Sequence, residues 1–170
     1  MFSNLRRLVR YRGLIQSLVA RELKARYRGS VLGFFWSFVN PLLLLSIYTF
    51  VFTKILPNRD PKAQPYALFM FCGILPWTWF SASLLEASSS LIAGGNLIKK
   101  VLFPAEVLPL VSVLANMVHF FLGLIILVAF FAIYRHPLDW PDLWWFPVVV
   151  FIQLVLTAGL GLALSALTVH

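Results

Sequence analysis

The sequence predicts an all-α integral membrane protein, with an N-terminal amphipathic interface helix followed by four transmembrane helices. Three observations predict it. Of 170 residues, 61% are apolar and only 12% are charged, and the mean hydropathy is +0.88, far above that of ordinary water-soluble domains. The charges divide the chain into four long apolar stretches, each at or above the roughly 20 residues a helix needs to cross a hydrocarbon core about 30 Å thick. The strict apolar–polar alternation of a transmembrane barrel strand is absent, and lipid allows only structures that pair their own backbone, which leaves helices.

The first element is the basic segment 1–28. At about 100° per residue, Arg6, Arg7, Arg10, Arg21, Lys24 and Arg28 fall within roughly one third of the helix circumference, opposite Leu5, Leu8, Val9, Ile15, Leu18, Val19 and Leu23. Arg12 and Arg26 fall on the apolar side, positioned to snorkel. No uninterrupted apolar run of signal-peptide type follows the basic start. The segment is expected to lie in the interface plane with its cations toward anionic headgroups. Its role is either a plain topology anchor or a docking element.

The four spans follow at 31–53, 66–94, 107–134 and 143–169, and Glu86 is the only charged residue inside them. Asn40-Pro41 interrupts the first span and Pro76 the second, each marking a kink or a hinge. Tyr66, Trp77, Trp79, Trp140, Trp144 and Trp145 are read as an aromatic belt at the outer ends. Ser83 with Ala87, Gly159 with Ala163, and Gly161 with Ser165 are small-xxx-small pairs that let helices approach closely, within one subunit or between two. Prolines punctuate the two outer links, which are too short for a soluble domain.

Orientation follows from the cations. Eight lie in residues 1–28, and Lys99 and Lys100 add two in the link between spans two and three; the other links hold Lys54, Arg59, Lys62 and Arg135. The positive-inside bias therefore puts the N-terminus and the 95–106 link in the cytoplasm. The formal charge of +8 is thus mostly cytoplasmic. No nucleic-acid partner is expected, because such a binder would spread its cations over a solvated face.

No catalytic constellation and no metal-ligand cluster appears. The Gly94–Gly95 stretch lacks both the spacing and the hydroxyl residue of a phosphate loop, so the chain is not expected to hydrolyse ATP. Two ionisable residues lie within the spans, Glu86 and His119, and such residues are functional candidates by default. Each also has a structural reading: Glu86 pairs with a cation or with the cytoplasmic helix, and His119 stays neutral and bonds Asn116 or a carbonyl. The cytoplasmic segment 94–109 is the most distinctive local segment. It opens on two glycines, Gly94 and Gly95, and carries two lysines, and Pro104 stands where it would start the next helix. An apolar and basic turn of this kind suits a cleft in a soluble partner, with Leu97, Ile98 and Phe103 as anchors.

Several segments resemble ABC-2 type permeases that export polysaccharides: LVARELKARYRGSVLGFFWS at 18–37, NPLL at 40–43, YTFVF at 48–52, GILPW at 73–77, and NLIKKVLFPAEVLP at 96–109. The resemblance runs over essentially the whole chain, 1–170, as a single transmembrane domain. It implies a homodimeric permease in the cytoplasmic (inner) membrane of a bacterium, driven by separate ATPase subunits that hold ATP and Mg, with no cofactor on this chain. It implies an ATPase-coupling loop comprising Asn96, Leu97, Ile98, Lys99, Lys100, Val101, Phe103, Pro104 and Glu106. Permeases of this kind have six spans, so the chain is expected to be C-terminally truncated, the first two thirds or so of one. The family substrate is a lipid-linked glycan of O-antigen, capsule or teichoic acid type. A sugar path favours aromatic faces and few charges, which makes Phe34, Phe35, Trp36, Tyr48, Phe80 and Phe120 candidate lining residues; each is alternatively lipid-facing or core. The competing readings are an ABC-2 permease for a drug or lipid, and a membrane-embedded acyltransferase-type enzyme that would need His119 or Glu86.

Overall fold

The computed structural model describes residues 11–26, 28, 35–56, 66–94, 104–133 and 143–169. Among them the chain is helical throughout: α1 (Arg12–Arg26), α2 (Trp36–Phe50, continued by a π-helical turn Val51–Ile55), α3 (Tyr66–Ala93), α4 (Val107–Ile133) and α5 (Phe146–Val169). Four of these are long and apolar enough to cross a membrane, over Phe38–Ile55, Leu68–Ala93, Val107–Ile133 and Phe146–Thr168. The first span thus extends two residues past its expected end. Leu56 N–H closes onto the Val51 carbonyl at 2.8 Å and the Thr53 hydroxyl onto the Thr49 carbonyl at 2.6 Å. Lys54 is accommodated there because a cation is favoured at a helix C-terminus.

Long-range contacts give the helix directions. Along α3 and α4, Gly94 faces Leu108, Glu86 bonds Asn116, Trp79 stacks on Phe120, and Leu75 faces Gly123, so the two run antiparallel. Along α3 and α5, Gln153 bonds the Pro76 carbonyl, Gly161 faces Ala87, and Thr168 bonds the Ser88 carbonyl, so these two run parallel. In a bilayer, burial of apolar surface does not drive helices together; packing and interhelical hydrogen bonds do. The core is accordingly dense and aromatic: Leu45, Leu68, Phe71, Leu75, Trp79, Phe120, Leu127 and Val150. Of the α2 span only Leu45 is buried, so within these residues α2 is the least covered of the four.

Many hydroxyls inside the spans bond carbonyls of their own helix, as Ser46 to Leu42, Thr78 to Ile74 and Thr157 to Gln153. This satisfies them where water is absent; the buried Ser83 hydroxyl is the exception among the described residues, with no hydrogen-bond partner. Two of the small-residue pairs separate. Gly161, Ser165, Ser83 and Ala87 are buried, and a Cβ on Gly161 would lie 3.1 Å from that of Ala87. Gly159 and Ala163 instead face outward, with nothing within 4 Å of a Cβ on Gly159.

Trp79 departs from the expected aromatic belt. It lies in the middle of the 28-residue α3, 2% exposed, with its indole N–H donating to the Val113 carbonyl at 3.2 Å. The α4 backbone supplies the partner an interfacial indole would find in headgroups. Trp144 and Trp145 remain exposed at the start of α5, as a belt requires.

Candidate functional site

The N-terminal helix docks at the end of the bundle where α3 finishes and α4 begins. Ile15 and Leu18, one turn apart on α1, pack against Val107 and Val111 of α4, with Leu14, Val19, Leu108 and Leu114 around them. Arg21, Lys24 and Arg28 stay exposed, while Arg6, Arg7 and Arg10 lie outside the described residues. Beside the contact, Ile15, Val19 and Leu23 of α1 and Leu114, Met117 and Phe121 of α4 line an apolar groove of about 350 Å³.

Arg26 keeps part of its surface exposed. It turns inward from the last turn of α1, where its Nη2 donates to Glu86 Oε2 at 2.7 Å and its Nη1 to Asn116 Oδ1 at 3.0 Å. Asn116 closes the ring by donating Nδ2 to the same Glu86 oxygen at 2.7 Å, and to its own helix at the Ser112 carbonyl at 3.0 Å. The guanidinium fork suits this geometry because its donors diverge in one plane. An unpaired charge within a span costs about 2.5–3.5 kcal/mol on insertion scales. Here the carboxylate is met by a cation and an amide, and the two charged side chains retain 26% and 35% exposure. Glu86 therefore pairs with the N-terminal helix, one of the readings its sequence position allowed. Asn116 serves Glu86 and Arg26. His119 is half-buried three residues further along α4.

The junction above this ring is tight. The Gly94 N–H closes α3 on the Ser90 carbonyl at 2.8 Å. A Cβ on Gly94 would collide with the Leu108 side chain and lie 2.9 Å from that carbonyl. Pro104 precedes α4 by three residues and does not stand within its first turn; its carbonyl accepts from the Val107 N–H at 3.1 Å. Glu106 is exposed. Asn96, Leu97, Ile98, Lys99, Lys100, Val101 and Phe103 lie outside the described residues.

The aromatic candidates do not form one surface. Phe120 is 4% exposed and stacks on Trp79 at 5.0 Å and Phe146 at 6.5 Å, a core position and not a lining one. Tyr48 packs against that core and stacks on Phe52 at 6.2 Å. Phe80 is half-buried beside Trp77, Trp36 is half-buried, Phe35 is exposed, and Phe34 lies outside the described residues. Among the described residues no three of His, Cys, Asp and Glu converge on a metal-sized site.

Sequence reasoning did not find the Arg26–Glu86–Asn116 ring or the bond from Gln153 to the Pro76 carbonyl at 2.8 Å. The signal for the first was present: one acid inside the spans, and two arginines, Arg12 and Arg26, on the apolar side of an amphipathic helix.

Residues 13–170 match the model of the ABC-2 type transporter family. The chain is 44% identical over 173 residues to the O-antigen export system permease protein RfbA of Myxococcus xanthus, covering 99% of this chain and 64% of that protein. Two proteins of the same name from Klebsiella pneumoniae are 36% and 34% identical, each over 91% of this chain and 58% of their own length. The chain thus spans less than two thirds of the length of these relatives. With a match across nearly its whole length and four membrane-crossing helices, the chain belongs to the ABC-2 type transporter family and is a multi-pass membrane protein.

Proposed function

We propose that this chain belongs to the membrane-spanning region of a permease subunit that exports a lipid-linked polysaccharide of O-antigen type across the cytoplasmic membrane, driven by separate ATPase subunits. The observation that carries the reading is 44% identity over 99% of the chain to a permease of an O-antigen export system. The geometry supports it. The α3–α4 junction, α1 and the end of α5 share one end of the bundle, and the positive-inside bias assigns that end to the cytoplasm.

In this reading the 96–104 segment rides in a cleft of the ATPase, with Leu97 and Phe103 as apolar anchors and Lys99 and Lys100 at the rim. ATP and Mg belong to the partner. When two ATPases close on nucleotide they push this segment along the axes of α3 and α4, and two copies of the permease rock apart around a path for the glycan. Glu86 is held by Arg26 and Asn116, which supports a structural role for it over the proton transfer that an acyltransferase-type enzyme would demand. The test is co-purification. A nucleotide-hydrolysing subunit is expected to accompany the wild-type protein and to be lost when Leu97 and Phe103 are both replaced by Asp. Retention of that subunit by the folded double variant would overturn the coupling role.

A further inference from the structure

The Arg26–Glu86–Asn116 ring joins three helices: α1 through Arg26, α3 through Glu86 and α4 through Asn116. The bonded residues are 60, 90 and 30 positions apart, so none of the bonds helps form a helix locally. Glu86 stands seven residues before the end of α3 and Asn116 nine after the start of α4. At a rise of about 1.5 Å per residue, both lie roughly 10–14 Å inside the spans from the 94–104 junction. On the other side, Arg26 is the last residue of α1, ten positions before Trp36 opens α2, the span with a single buried residue.

We propose that Arg26, Glu86 and Asn116 are positioning residues that clamp α1 to the α3–α4 hairpin, so that a displacement of the hairpin tip is passed through α1 to α2. The inference rests on the coupling role of the 96–104 segment. α3 and α4 share an aromatic core, with Phe71 and Trp79 on one and Phe120 on the other. Among the described residues, α1 without the clamp meets them through the apolar contact of Ile15 and Leu18 on Val107 and Val111, with Leu14, Val19, Leu108 and Leu114 around it, and dispersion is non-directional, so this contact resists sliding less than a set of directed bonds does. The ring adds directional, charge-assisted bonds to it. A push on the tip is then passed toward α2, which opens at Trp36 after the nine residues that follow Arg26, and does not dissipate as α1 slipping on α4.

The experiment uses the full-length permease in its native cell, with the ATPase identified by co-purification. Three quantities are measured: ATPase retained, ATP hydrolysed, and surface glycan read as a silver-stained ladder of extracted lipopolysaccharide. Arg26→Glu and Glu86→Arg are each expected to keep the ATPase and its basal hydrolysis, yet to export at least tenfold less glycan per ATP. The double exchange, Arg26→Glu with Glu86→Arg, is expected to restore export to within about threefold of wild type, Asn116 turning its amide to serve the reversed pair. Glu86→Gln and Arg26→Lys preserve the helices most conservatively, and serve where a charge reversal prevents folding. Each is expected to lower glycan per ATP three- to tenfold with the ATPase still bound. Wild-type export per ATP in Glu86→Gln and Arg26→Lys, or a folded double exchange no better than its single parents, would overturn the clamp. Absence of an ATPase from the wild-type preparation would instead overturn the coupling reading, and the clamp with it.

Discussion

Gly159 and Gly161 lie two residues apart on α5, in the same apolar stretch, yet the structure gives them opposite surroundings. A Cβ on Gly159 meets nothing within 4 Å, whereas one on Gly161 lies 3.1 Å from Ala87 Cβ and 3.7 Å from Val113 Cγ2. Replacing either by Ala removes the conformational penalty of a helical glycine, about 0.5–1 kcal/mol. At Gly159 that gain is expected in full. At Gly161 it is offset, because α3 and α5 must part by a few tenths of an ångström to admit the methyl. Leucine separates the sites further. Gly159→Leu adds an apolar side chain to an open face and is expected to cost nothing. Gly161→Leu overpacks the α3–α5 crossing, at about 1–3 kcal/mol. The assay is denaturant unfolding of the detergent-solubilised protein, followed by tryptophan fluorescence. Equal losses for the two leucine variants would refute the assignment of Gly161 to the crossing and Gly159 to the open face.

Trp79 and Gly94 give two further predictions. Trp79→Phe removes the indole bond to the Val113 carbonyl and keeps the stack on Phe120, so a loss of about 0.6 kcal/mol is expected, in the range of interhelical bonds in membranes. Trp79→Ala also opens a cavity and is expected to cost about 3–5 kcal/mol; the same unfolding assay distinguishes them, and similar losses would contradict the aromatic core. Gly94→Val drives a side chain into Leu108, which packs beside the α1 contact. Faster tryptic cleavage after Arg21 and Lys24 is expected as α1 loosens, and an unchanged rate would contradict the coupling of that junction to α1.

Much of the architecture was legible in the sequence because membrane insertion rewards long uncharged runs, and those runs end where charges and prolines stand. The bounds of α4, Val107–Ile133, follow from that directly. The side of each helix that packs was less legible. Small-residue spacing marked Gly159 and Gly161 equally, and only the course of α3 past α5 distinguishes them. The belt rule misplaced Trp79 because it counts from span ends, and α3 is long enough to carry a tryptophan in its middle. The 100° projection of α1 put Arg26 on the apolar side, but its partners lie 60 and 90 residues away. Periodicity within one helix holds no information about contacts of that range.

The most direct measurement is whether the full-length protein, purified from its native membrane, carries an ATPase whose turnover responds to a polyprenyl-linked glycan. The account predicts that the ATPase is present, that added glycan changes its rate, and that replacing Leu97 and Phe103 by Asp removes it. A folded wild-type protein purified with no ATPase, or with one indifferent to the glycan, would contradict it.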